Sequence, residues 1–247
     1  MLSASGLAWL LLAVVGAAGL VRHLRRTSRP LFPAGTFASR AAWGSLVVSL
    51  LVGVALIAAL VLTRLLVALP IGAVVGGVAL RFASAGVLTA IGMVMTAVGF
   101  VMMAQWGLTT LDDVLWPTVA LVLAGFGFGL SLAPINDALL AATEAATHGV
   151  ASAFVVVARM VGMLVGISVL TTLGLRLYYA TVSDLPAAVD VCPDGGTCEA
   201  YTTLLREAGL VQLHTVFYGA AIAAVLAGLL ALVLLRRVTQ DADQHRV

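Results

Sequence analysis

Seven long apolar runs, at about 4–21, 41–62, 65–80, 85–104, 114–133, 150–175 and 213–235, leave this chain of 247 residues few folds to choose from. A helix rises about 1.5 Å per residue, so roughly 20 apolar residues cross the ~30 Å hydrocarbon core of a bilayer. Inside lipid every backbone N–H and C=O must be satisfied by the protein itself, which leaves helices and closed barrels. Barrel strands read as alternating segments of about ten residues, whereas these runs are continuous. Composition agrees: 62% of residues are hydrophobic and 10% charged, against about 25% charged in a soluble domain. The sequence predicts an all-α membrane protein, a polytopic helical bundle.

The arginines orient it, because loops rich in basic residues stay cytoplasmic. Arg22, Arg25, Arg26, Arg29 and Arg40 follow the first run, so that loop is expected inside and the N-terminus outside. A cleaved signal peptide would carry its positive charge before the apolar run. Alternation then places Arg81, residues 134–149 and the C-terminal Arg236, Arg237 and Arg246 in the cytoplasm, with 105–113 and 176–212 outside. Nine of the thirteen arginines fall inside, two (Arg176, Arg206) outside, and Arg64 and Arg159 at membrane level. One junction is awkward. Leu60-Val-Leu-Thr-Arg64 separates two runs with scarcely a turn-forming residue, although a hairpin between spanning helices normally needs several. Either the turn is very tight or the segment is internally shortened.

The stretch 176–212 is the longest polar segment, read as an external loop. It contains Cys192-Pro-Asp-Gly-Gly-Thr-Cys198. An external compartment permits a disulfide there; two free thiols in a mobile loop are the alternative.

Arg159 is the most informative single residue. It lies nine residues after Val150, about 14 Å into a helix and close to mid-membrane. A guanidinium at that depth costs at least ~2.5–3.5 kcal/mol and normally faces a bundle interior or aqueous cavity with a partner. It either lines a translocation path and pairs with a carboxylate, or snorkels to the cytoplasmic headgroups. Helical spacing puts Ser152, Val155, Arg159, Gly162 and Gly166 on one stripe. None of the seven runs contains an acid, so a carboxylate partner is expected on another chain or on a missing part of this one. Arg64 reads either as a charge at the outer mouth of a pathway or as an interfacial anchor.

Glycines cluster twice more: Gly72 and Gly76 after Pro70, and Gly125 and Gly129 before Pro134. This small-xxx-small spacing lets helices approach closely, and Pro70-Ile-Gly72 is a candidate hinge. His23, His148, His214 and His245 lie apart from any Cys or acid at ligand spacing, so no metal site is expected. A phosphate-binding G-x-x-x-x-G-K-[ST] and a hydrolytic triad are missing too. No cofactor, nucleic-acid partner or enzymatic activity is expected.

Several motifs together resemble the major facilitator superfamily. They are Ala124-Gly-Phe-Gly-Phe-Gly-Leu-Ser-Leu-Ala-Pro134, His148-Gly-Val-Ala-Ser-Ala153, Arg159-Met-Val-Gly-Met-Leu-Val-Gly166 and Arg64-Leu-Leu-Val-Ala-Leu-Pro-Ile-Gly-Ala-Val-Val-Gly-Gly77. The match is to the C-terminal half of fourteen-span drug:proton antiporters, and within them to lipoprotein-assisted triacylglyceride and multidrug exporters of mycobacteria and actinobacteria. The resemblance implies a linker helix and basic cytoplasmic loop over 1–30, a C-terminal six-helix bundle over 31–237, and a cytoplasmic tail over 238–247. It implies Arg159 as charge partner, membrane lipids and a lipophilic substrate as ligands, and an N-terminal transporter bundle and a periplasmic lipoprotein as partners. The function so implied is proton-coupled export of lipids or lipophilic drugs by alternating access across the bacterial plasma membrane, with this chain an incomplete portion. The alternative is a membrane-embedded structural or binding subunit that transports nothing itself.

Overall fold

The apolar runs become helices in the computed structural model, which describes residues 39–59, 65–108, 110, 115–192 and 198–235. In chain order they are α1 (Arg40–Ala59), α2 (Leu65–Ala79), α3 (Ala85–Met103), α4 (Leu115–Ala141), α5 (His148–Ser183), the short α6 (Ala188–Val191) and α7 (Glu199–Leu234). Among the described residues there is no strand. Four helices, α3, α4, α7 and α5 with the 3₁₀ turn that leads into it, are long and apolar enough to cross a bilayer. Within α1 and α2, Arg40–Ala55 and Ala68–Ala79 are shorter apolar stretches. The first apolar run, the Arg22–Arg29 cluster, Arg64 with the awkward junction at 60–64, and the 238–247 tail lie outside the described residues.

Two helix ends differ from the sequence reading. The run expected to stop at 133 continues through Pro134 to Ala141. Proline removes one backbone N–H and frees a carbonyl, here that of Leu130, yet packed neighbours make it tolerable inside a membrane helix. Asp137, placed by the sequence reading in a cytoplasmic connection, therefore sits on α4, on its exposed side. Likewise most of 176–212 is helix: α5 runs on to Ser183 and α7 begins at Glu199, leaving 184–198 as the connection around α6. Polarity alone does not end a helix. Residues 176–183 and 199–212 hold no proline and one glycine, Gly209, whereas Pro186, Pro193, Gly195 and Gly196 crowd the connection.

The packing is a chain of neighbours, α5 on α1, α1 on α4 and α4 on α2, while α7 packs on α1 and α5, α3 on α4, and α3 on α7. Phe100, Met93, Phe128, Ile135, Val48 and Val52 fill the middle with no exposed surface. Ala220, Ala224, Ala227 and Ala231, all fully buried, form a small-residue seam along α7 that lets its neighbours come close.

Two of these crossings are built alike. On α5, a methyl added at Gly162 would strike the Leu50 carbonyl oxygen of α1, and one at Gly166 would lie 2.8 Å from that of Val54. On α2, a methyl at Gly72 would strike the Phe126 carbonyl oxygen of α4, and one at Gly76 would lie 2.6 Å from that of Leu130. In return, Gly53 of α1 abuts the carbonyl of Arg159, and Gly129 of α4 abuts that of Leu69. Both pairs run parallel. Leu50, Gly53 and Val54 thus correspond to Phe126, Gly129 and Leu130, and Arg159, Gly162 and Gly166 to Leu69, Gly72 and Gly76, with identical spacing in each series.

Candidate functional site

The α1·α5 crossing carries the charge. Gly53 and Gly162 remove side-chain bulk from both helices where their backbones meet, and the buried Ser49 hydroxyl donates to the Val155 carbonyl at 2.9 Å. Val155, Gly162 and Gly166 of the expected stripe are buried; Ser152 is not, and its hydroxyl bonds back to Gly149 within its own helix at 3.0 Å.

Arg159 sits between these buried positions and is itself partly buried. Its guanidinium Nε and one terminal nitrogen are shielded from solvent, with no hydrogen-bond partner among the described residues. A guanidinium carries five N–H donors and never an acceptor, and leaving a buried one unpaired costs several kcal/mol. The arrangement calls for an acceptor, an anion or a water-filled cavity. The other side of α5 offers apolar surface: Val157, Met160 and Leu164 are 54%, 53% and 68% exposed.

The remaining sequence candidates separate. Gly72 and Gly76 meet α4, and Gly129 meets α2. Gly125 is buried, Pro134 is buried and Pro70 is exposed. Arg64 lies outside the described residues. Cys192 and Cys198 are joined by a disulfide with their Cα atoms 5.7 Å apart, at the far end of the α5–α7 hairpin. No three His, Cys, Asp or Glu side chains come together as a metal cluster among the described residues.

Sequence reasoning missed two features. Gly53, Gly92, Gly99 and Gly127 are contact points as close as the chosen glycines: Gly92 faces Gly127, and Gly99 faces Ala124. Helical spacing on a single helix cannot reveal a partner. The second is a buried knot of aromatic rings at the end of α3. Trp106 packs edge-on against Phe217 with centroids 5.8 Å apart, Phe217 stacks on Phe100 at 6.2 Å, and Phe100 meets Phe128 at 6.0 Å. His214 Nε2 lies 2.8 Å from the Trp106 carbonyl oxygen, joining α7 to the connection after α3.

No family model matches the chain. It is 40% identical over 184 residues to a triacylglyceride transporter of Mycolicibacterium hassiacum, which covers 70% of this chain and 34% of that protein. It is 34% identical over 194 residues to a triacylglyceride transporter of Mycolicibacterium smegmatis, covering 72% and 34%. To a probable triacylglyceride transporter of Mycobacterium leprae it is 34% identical over 202 residues, covering 77% and 39%. The chain spans little more than a third of the length of these curated relatives. It is a membrane protein, helical and without strands among the described residues, homologous to part of proteins named as transporters.

Proposed function

We propose that this chain is the C-terminal membrane bundle of a major facilitator exporter that moves lipids or lipophilic drugs out across the plasma membrane, coupled to protons. The observation that carries the reading is Arg159: a guanidinium with two shielded nitrogens that have no partner among the described residues, on a membrane helix, in a chain matching about a third of triacylglyceride transporters. Ionisable groups at such depth mark substrate or ion pathways and pair with one another. The partner expected for Arg159 is a carboxylate on an N-terminal bundle. Arg64 is proposed at the outer mouth of the same path, the N-terminus outside and the C-terminus in the cytoplasm.

Transporters of this kind bind at the interface of two halves and rock about it. A charge pair across that interface contributes to coupling only if it is stronger in one state than in the other. Protonation of the carboxylate weakens its hold on Arg159, and the bundles part on one side; deprotonation restores the pair. The glycine crossings allow α5 and α2 to turn with their neighbours as rigid pairs. A periplasmic lipoprotein at the exit fits a cargo that water will not dissolve.

The test is reconstitution. The chain is expressed alone and together with the N-terminal bundle of a mycobacterial relative, and efflux of a lipophilic dye is followed under an imposed proton gradient. Efflux is expected only from the pair, and Arg159→Ala is expected to abolish it while Arg159→Lys retains part. Undiminished efflux with Arg159→Ala overturns the role given to the arginine. No efflux from a pair that assembles favours the second reading, a membrane subunit without transport of its own.

A further inference from the structure

The two matched crossings assign Arg159 a counterpart. Because Gly53 meets the Arg159 carbonyl as Gly129 meets that of Leu69, the side chain at 69 leaves α2 in the same relation to α4 as the side chain at 159 leaves α5 in relation to α1. Next along each helix, a methyl on Gly53 would lie 3.0 Å from the Met163 nitrogen and one on Gly129 2.7 Å from the Ala73 nitrogen. The burial of the two helices agrees. Over ten positions, 69–78 and 159–168, the succession of buried, partly buried and exposed residues is identical. Leu69 and Arg159 are both partly buried, Pro70 and Met160 exposed, Gly72 and Gly162 buried, and so on to Val78 and Ser168. The sequences share little but the glycines, so the equivalence belongs to the backbone, with the chemistry at the leading position exchanged.

We propose that Leu69 lines the same pathway as Arg159, as the apolar member of a matched pair, and that it contacts the hydrocarbon part of an uncharged lipophilic substrate. This rests on the pathway role given to Arg159 above. With a leucine in place of a second guanidinium, the lining carries one cation, which holds the polar end of a cargo or pairs with its carboxylate partner, and one wall that favours acyl chains. A second buried cation would cost several kcal/mol without a partner of its own; a leucine at that position costs nothing in lipid.

The test uses the full chain, whose two native cysteines are bridged to each other, so an introduced cysteine is its one free thiol. Leu69→Cys, Arg159→Cys and, as a control on the exposed side of α5, Val157→Cys are each reconstituted together with a cysteine-free N-terminal bundle of a mycobacterial relative in phosphatidylcholine vesicles, with and without triolein. Labelling by a maleimide is timed, with gel-filtration profiles confirming that each variant is folded. Triolein is expected to slow labelling at positions 69 and 159 several-fold and to leave 157 unchanged. Protection at 159 but not at 69 overturns the pairing and leaves the proposed function standing. Protection at neither position overturns both, and protection at 69 alone removes Arg159 from the pathway and the pairing with it. A variant at 69 that does not fold is replaced by Leu69→Ala combined with Arg159→Cys, in which protection of the cysteine at 159 by triolein is expected to weaken several-fold; unchanged protection overturns the proposal.

Discussion

The Ser49 hydroxyl donates to the Val155 carbonyl across the α1·α5 crossing at 2.9 Å, one turn before Arg159 on the same helix. Such a bond between membrane helices contributes about 0.6–2 kcal/mol. It also fixes the register in which Gly53 meets the backbone of Arg159. Ser49→Ala is therefore expected to lower stability by about 1 kcal/mol in a mixed-detergent unfolding titration. No loss would show that glycine contacts alone hold the register.

The close-contact glycines and the open ones should respond in opposite directions. Methyls at Gly162 or Gly72 meet backbone carbonyls, which cannot yield as a side-chain tip can. Gly162→Ala and Gly72→Ala should each cost about 1–3 kcal/mol through overpacking. A methyl at Gly209 in α7 meets nothing within 4 Å, so Gly209→Ala should stabilise by about 0.5–1 kcal/mol through helix propensity. Thermal unfolding in detergent, followed by circular dichroism, distinguishes the signs.

The aromatic knot should report on the joint between α3 and α7. Phe217 is buried between Trp106 and Phe100, and Phe217→Ala removes a ring at a cost of about 3–5 kcal/mol where the site cannot collapse. In a variant retaining Trp106 as its one tryptophan, emission should shift to the red. His214→Phe keeps the apolar bulk but loses the bond to the Trp106 carbonyl, so a loss of about 1 kcal/mol is expected with little spectral change.

Reducing the Cys192–Cys198 bridge should loosen one end of the molecule and spare the rest. It closes a short loop, with a sequence separation of 6, for which chain entropy gives about 2 kcal/mol. Maleimide mass shifts should show no free thiol before reduction and two after. Proteolysis should then quicken within 184–198, and the α1·α5 crossing should keep its protection from hydrogen exchange.

Much of this architecture was legible in the apolar runs, because a membrane helix announces itself by length and composition. Helix ends were not. Pro134 reads as a stop and is a passenger inside α4; the polar residues 199–212 read as loop and form the first turns of α7. In both places the deciding factor is whether backbone groups find partners, and hydropathy does not record that. At the site, Arg159 and the Gly162–Gly166 spacing were visible in one helix. The roles of Gly53 and Ser49 were not, since each depends on a helix more than a hundred residues away in the chain. The correspondence of Leu69 with Arg159 left no trace beyond the shared glycine spacing.

The α5–α7 hairpin, finally, has mechanical advantage. From Gly162, where α5 bears on α1, to Ser183 is 21 residues, about 32 Å of unbroken helix. Leu170 and Gly219 are in contact low on that length and Gly174 and Gln212 above them, while the disulfide fastens the far end, so the two helices are tied to each other along the arm. With the fulcrum at the glycine crossing, a tilt of roughly 10° displaces the end of a ~32 Å arm by about 5 Å. Any tilt of α5 about the glycine crossing would thus be felt most at Cys192, at the bridged end of the arm.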